Sequence, residues 1–281
     1  MDKQKQILIT GSSGLIGQIL LNHLPSEYVI TGLDITESSD KRTSVANLRN
    51  FDEINHHFAN IDIVIDLAGI SNLDADWNQI CTNNIPVTCN TFEAAKEHNV
   101  KRIIYVSSNH VTGMYESEAP YSDIIAGNYH QIRLSKLQYI HSGSQIKPDS
   151  PYGIGKSFGE STAKYYSEKF GISIICLRIG TVNKLNKPMD IRQFATLLTH
   201  KDLIQLISKS IEAKSHVKYA RLVTPGGVLK FFVSPSSILR RSLTTYKCLS
   251  SMSSRVHHSL LKCDAVDSRM LLLVIYHLLI S

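Results

Sequence analysis

Short apolar runs recur from the N-terminus to about residue 180, and longer stretches with helical spacing lie between them. The runs are QILIT (6–10), YVITGLD (28–34), IDIVIDLAG (61–69), KRIIYVSS (101–108) and ISIICLRIG (172–180). They are rich in β-branched residues and nearly continuous in apolar character, as strands covered on both faces should be. The intervening pattern predicts helices over about 14–24, 51–58, 76–98 and 151–169. Such alternation places the chain in the α/β class, with a doubly wound parallel sheet. No internal repeat is visible.

After about Tyr219 the alternation stops, and residues 234–259 are rich in Ser, Arg and Leu. With 281 residues, 43% hydrophobic, the chain can form one large domain or a core domain with a small appendage. We therefore expect a cofactor-binding domain with an integrated substrate site over 1–220, followed by an atypical tail over 221–281. The tail is either a natural extension or a chain end outside the coding logic of the body, such as a shifted reading frame. The second reading is favoured and predicts poor packing there.

The net charge of +6 suggests a nucleic-acid partner until it is located. Residues 221–281 hold eight Lys/Arg against two Asp/Glu, leaving 22 of each sign in 1–220. A basic face for nucleic acid belongs on the folded body, so this partner is not expected. The longest apolar run, MLLLVIYHLLI (270–280), is shorter than the roughly 20 residues of a membrane span. MDKQKQILIT runs straight into a strand with no secretory signal. Cys81, Cys89, Cys176, Cys248 and Cys263 are scattered, which suggests reduced thiols in a cytoplasmic protein and neither a disulfide framework nor a zinc site. No metal is expected.

ILITGSSGLIGQIL places Gly11, Gly14 and Gly17 at the end of the first strand. The first glycine permits a tight turn, the second lets backbone approach a pyrophosphate, and the third lets helix and strand pack closely. The helix N-terminus then offers N–H groups to the phosphates. Asp34 ends the second strand, where its carboxylate can accept both ribose hydroxyls of an adenosine and repel a 2′-phosphate. These features predict NAD rather than NADP. Leu67, Ala68 and Gly69, in DLAG, allow a cofactor to lie against the sheet, and Asn47 and Leu48 fall near an adenine edge.

Tyr152 and Lys156, four residues apart in YGIGK, share one helix face. Alone they read better as a solvated surface pair. Together with TGSSGLIG, Asp34, DLAG, Asn84 in TNNIPV, and VSSNHVTG, they resemble the extended short-chain dehydrogenases/reductases, the NAD-dependent epimerase/dehydratase family, over about residues 5–218. The resemblance implies a Rossmann-type fold with a small C-terminal substrate-side region. It makes Tyr152, Lys156 and Ser108 the catalytic group, and adds Leu15, Ile16, Ile35, Asn84, Tyr152 and Lys156 to the cofactor site. The physics agrees. A free tyrosine titrates near 10 and is a poor base at neutral pH, but a neighbouring ammonium favours the phenolate. Ser108 can orient the reacting hydroxyl. In DSP, Ser150 is the expected N-cap and Pro151 the first helical residue.

Within that family the chain is most similar to the uronate dehydrogenases, through GISNLDADW, SSNHVTGMY, YGIGKSFGE, LRIGTV and DIRQFATLLT. The resemblance implies oxidation of the C1 hydroxyl of a hexuronate to an aldaric lactone with NAD. Ser71, Ser108, Asn109, His110 and Thr181 would touch the sugar, and Arg192 would grip its carboxylate. A guanidinium fits a carboxylate at two points, but it also suits a phosphate or an ordinary salt bridge. His110 reads as well as a packed, hydrogen-bonded residue, and Trp77 is expected to pack rather than stack on sugar. The resemblance further implies a homodimer through the 76–98 and 151–169 helices.

Residues 119–147 are longer than the family's usual link and lie beside the expected site, Asn47 stands where many relatives have aspartate, and the tail from about 220 does not match the family's ending. Two other functions stay open. One is a nucleotide-sugar epimerase, dehydratase or reductase, or a sugar-phosphate dehydrogenase; the roughly 40 family-like residues after LRIG leave little room for a nucleotide-sugar lobe. The other is an NAD-binding sensor without activity, which would not need Ser108, Tyr152 and Lys156 together.

Overall fold

The computed structural model describes residues 4–128, 130, 132, 138 and 140–224. The chain begins with β1 (Gln6–Thr10), α1 (Leu15–His23), β2 (Val29–Asp34), β3 (Thr43–Val45) and α2 (Phe51–Ile54). A 3-10 turn, Asn55–Phe58, leads to β4 (Ile63–Asp66). Next come α3 (Trp77–Gln79), a π turn (Ile80–Asn84), α4 (Ile85–Glu97) and β5 (Arg102–Ser108). A 3-10 segment (Asn109–Ser117) precedes α5 (Tyr121–Ala126), α6 (Pro151–Phe170) and β6 (Ser173–Ile179). The last elements among the described residues are α7 (Ile191–Thr196), α8 (His200–Ile211) and β7 (Tyr219–Val223).

Among the described residues the strands form one seven-stranded sheet in the order β3-β2-β1-β4-β5-β6-β7, with every pairing parallel. The period-2 geometry of β1 explains its two covered faces. Ile7 and Ile9 join a core with Leu20 and Leu21 of α1 and Leu203, Leu206 and Ile207 of α8. Leu8 joins the opposite core with Val64, Ile103, and Phe92 and Ala95 of α4. All seven residues of β5 and of β6 are buried, as their continuous apolar sequences require.

The five predicted strands and four predicted helical regions are present, but the 51–58 stretch is α2 followed by a 3-10 turn. The 76–98 stretch is not one α-helix but α3, a π turn and α4. Trp77 is 55% exposed rather than packed, because it is the first residue of α3, directly after the N-cap Asp76 and within the Asp76–Gln79 capping box at the surface. Strands β3 and β7 and helices α5, α7 and α8 are additional. Strand β7 carries the sheet across residue 220, and Thr224 N donates to Arg178 O at 3.0 Å. The expected boundary therefore falls inside a strand. Residues 225–281, with the packing expected of them, lie outside the described residues.

The 119–147 link contributes α5, which packs on both the 109–117 segment and α7. At its far end Lys147 N donates to Val111 O at 3.0 Å, and Met114 N donates to Lys147 O at 2.9 Å. Both ends of the link thus lie against the segment that follows Ser108.

Candidate active site

Parallel strands gather their carboxyl ends on one edge, and Thr10, Asp34, Asp66 and Ser108 all sit there. The strand order reverses direction between β1 and β4, which opens a crevice at that point. Gly11 turns the chain into it at φ +69°, and a Cβ there would lie 2.9 Å from Ala68 N. Gly17 allows α1 to press on the turn, since its Cβ would meet Ser12 Cα at 2.6 Å. Gly14 is the N-cap of α1 and supplies no side-chain cap, so the first-turn amides face the crevice without a protein acceptor from the cap. No acidic side chain occupies that first turn. These features fit a dinucleotide pyrophosphate.

Asp34 is fixed by two backbone donors, Ser13 N to Oδ2 and Thr36 N to Oδ1, both at 2.9 Å. Each oxygen keeps a lone pair for a ribose hydroxyl. Ile35 beside it is 56% exposed and offers an apolar face, while Leu15 and Ile16 are half-buried. Leu48 points into the core, and its carbonyl accepts Asn90 Nδ2 at 2.9 Å. Asn47 turns its amide oxygen to Arg49, accepting from N and Nε at 3.1 Å each. Any contact Asn47 makes with an adenine is left to its side-chain N–H groups.

Across the crevice, Leu67 and Ala68 are half-buried, and Gly69 is exposed at φ +131°. Asn84, in the π turn, clamps the next residue at both ends: its Oδ1 accepts Ile70 N and its Nδ2 donates to Ile70 O, both at 2.9 Å. A π turn inserted in a helix commonly serves a functional position. Ser71 follows in the exposed loop.

The catalytic residues expected from the sequence converge on β5 and α6. Ser150 caps α6 by accepting Gly153 N at 3.1 Å, with Pro151 in the first turn. Gly153 lets α6 close on the segment after Ser108, since a Cβ there would lie 2.4 Å from His110 O. Tyr152 and Lys156 are each 8% exposed, and Ser108 is 5% exposed. Lys156 Nζ donates to Val106 O at 2.8 Å and lies 5.0 Å from the Tyr105 ring centroid. Nearby, burial pushes the Asp66 carboxyl up, opposed by the Thr10 hydroxyl at 2.7 Å and the charge of Lys156. The Tyr152 and His110 rings meet edge-on with centroids 6.1 Å apart.

Ser108 Oγ accepts His110 N at 3.2 Å and donates to Asn109 Oδ1 at 3.4 Å. His110 Nδ1 lies 2.6 Å from Asp149 Oδ2, so its other ring nitrogen is the one left for a ligand. Thr181 Oγ1 is 3.2 Å from Thr196 Oγ1 on α7. Arg192 is salt-bridged: its Nε and one terminal N–H group reach the two oxygens of Glu116 at 2.6 and 2.8 Å.

Glu116 and Asp149 were missed from the sequence. Asp149 stands next to the N-cap serine in PDSP, where an acid beside a helix start is easily assigned to capping alone. Glu116 lies seven residues beyond Asn109 in a segment with no recognisable period. Among the described residues, no group of three or more potential metal ligands is present, and no helix is long and apolar enough to cross a membrane. Cys81, Cys89 and Cys176 are free.

The parallel sheet and the glycine turn define a Rossmann-type fold whose crevice fits NAD. The chain belongs to the NAD dependent epimerase/dehydratase family, which it matches over residues 7–184. It is 30% identical to an L-arabinose 1-dehydrogenase (NAD(P)(+)) of Haloferax volcanii over 66% of this chain and 71% of that protein. It is 28% identical to a uronate dehydrogenase of Pseudomonas syringae pv. tomato over 73% of this chain and 69% of that protein. Among solved structures, a mutated uronate dehydrogenase superimposes with a TM-score of 0.63 at 29% identity, covering 77% of this chain and 73% of the other. The protein is an NAD-dependent sugar dehydrogenase of this family.

Proposed function

We propose that the protein oxidises the C1 hydroxyl of a cyclic aldose or hexuronate to the corresponding lactone. The observation that supports this most is the placement of Ser108 at the end of β5, with Tyr152 and Lys156 of α6 against the same strand end, on the sheet edge that also carries the glycine turn. NAD, when bound, supplies the hydride acceptor. Tyr152 takes the proton from the C1 hydroxyl as the C1–H bond breaks. Ser108 orients that hydroxyl. Lys156 has three N–H groups, one already given to Val106 O, so two remain for the Tyr152 oxygen and a ribose hydroxyl. Asn109, His110, Ser71 and Thr181 form the sugar side. A hexuronate would add a carboxylate for Arg192. The reading includes a homodimer through the α4/α6 layer, supported by the exposed Ile154 and Tyr165 on α6, and a cytoplasmic location, supported by the free thiols.

The test is NADH formation with D-galacturonate, D-glucuronate and uncharged aldoses, for the protein and its Tyr152→Phe variant. Lactone formation with NADH in equal amount, lost in the variant, is the expected result. A folded Tyr152→Phe protein with near-normal turnover rules the scheme out.

A further inference from the structure

The guanidinium that would hold a substrate carboxylate already holds one from the protein. Arg192 presents Nε and a terminal nitrogen to Glu116 at 2.6 and 2.8 Å, the two-point edge on which carboxylate recognition depends. Both side chains are one-quarter exposed, so the pair lies at a solvent-accessible surface rather than in the core. Glu116 belongs to the segment that carries Asn109 and His110. Arg192 belongs to α7, where its carbonyl accepts Thr196 Oγ1, the hydroxyl that in turn meets Thr181. The pair therefore ties together the two elements that carry the expected sugar contacts. Helix α5 packs on both of them and so braces this arrangement.

We propose that Glu116 is a specificity-determining residue that directs the site toward an uncharged aldose and away from a uronate. The proposal rests on the C1-oxidation reading and names its substrate class. A uronate carboxylate arriving at Arg192 meets a guanidinium whose charge is cancelled and whose better edge is occupied. To take that edge it must displace Glu116, which leaves one carboxylate unpaired beside another. An uncharged sugar brings no such penalty, and the N–H groups that Glu116 leaves free can donate to its hydroxyls.

D-Galactose and D-galacturonate differ only at C6, so their ratio of kcat/KM reads this preference directly. The protein is expected to favour galactose by about tenfold or more, and Glu116→Gln to move the ratio toward galacturonate by about tenfold or more. Adding Arg192→Gln to Glu116→Gln should abolish the gain, which a general loosening of the loop would not do. A protein that prefers galacturonate, or a Glu116→Gln ratio that does not move, overturns the proposal. If neither sugar, nor D-glucuronate or the other uncharged aldoses, yields NADH in any form of the protein, the C1-oxidation reading fails. The charge preference is then read from the binding of the two sugars to the enzyme–NADH complex, followed by nicotinamide fluorescence. Preference for galacturonate there, or binding of neither sugar, overturns it as well.

Discussion

Glu160 grips Arg178 with two 2.7 Å hydrogen bonds, and the two side chains are 1% and 0% exposed. The pair joins α6 to β6 one helical turn beyond Lys156. Ser107 Oγ adds a third bond to Glu160 at 2.8 Å, and Arg221 of β7 reaches it at 3.3 Å. One carboxylate thus fixes the helix bearing Tyr152 and Lys156 to three strands, including the strand that ends at Ser108.

Removing Glu160 leaves Arg178 as a buried cation without its counter-charge. Breaking such a pair costs about 3–5 kcal/mol. Glu160→Ala should therefore lower the denaturant midpoint strongly, whereas Lys164→Ala, which breaks the exposed pair with Glu168, should leave it nearly unchanged. Urea unfolding of the two variants checks this contrast.

The glycine turn, the strands and the α6 start were legible because backbone geometry dictates them locally. Gly11 must be glycine at φ +69°, and Ser150 caps the helix that its own neighbours form. The partners of His110 and Arg192 were not legible, because Asp149 and Glu116 meet them only after the fold brings distant segments together. Arg192 read as a carboxylate clamp, and the carboxylate it meets is in the chain. Helix α8 could have been found: Leu203, Leu206, Ile207 and Ile211 follow a helical period and are all buried. Strand β7 is partly exposed throughout and adjoins the basic tail, so its pattern is weak.

Asp34 holds its position through Ser13 N and Thr36 N and presents a negative charge at the end of β2. Asp34→Asn keeps the shape and removes the charge. Hydrogen bonds to charged groups contribute about 1.5–3 kcal/mol, so NADH should bind about tenfold to a hundredfold more weakly. NADPH should lose less or gain, because its 2′-phosphate no longer meets a carboxylate. Fluorescence titration with both cofactors measures the change in ratio.

Burial raises the Asp149 carboxyl, but the hydrogen bond and charge of His110, with the Ser150 hydroxyl, outweigh it and hold the carboxyl below its usual range. A depressed folded-state value stabilises the protein fully above the ordinary carboxylate range of about 4. That contribution disappears as pH falls through the depressed value. Asp149→Asn should be less stable than the parent at neutral pH and should show a shallower loss of Tm on acidification below about pH 4. Parallel acid limbs in the two proteins would remove the His110–Asp149 pair from the acid response.

Asn84 offers the sharpest isosteric test of the crevice wall, because it both donates to and accepts from Ile70. Asn84→Asp keeps the side-chain shape but replaces the donor with a second acceptor facing the Ile70 carbonyl. Leaving such buried acceptors opposed costs about 1–3 kcal/mol. The loop after Gly69 should shift, and kcat/KM should fall about tenfold to a hundredfold while the sheet stays folded. Protonation of the new carboxyl restores an O–H donor toward Ile70 O. The deficit of the variant relative to the parent should therefore shrink as pH is lowered, which a simple packing defect would not produce. A pH profile of kcat/KM for both proteins, each with circular dichroism to verify folding, decides it: a deficit constant with pH means that the Asn84 donor does not hold the wall.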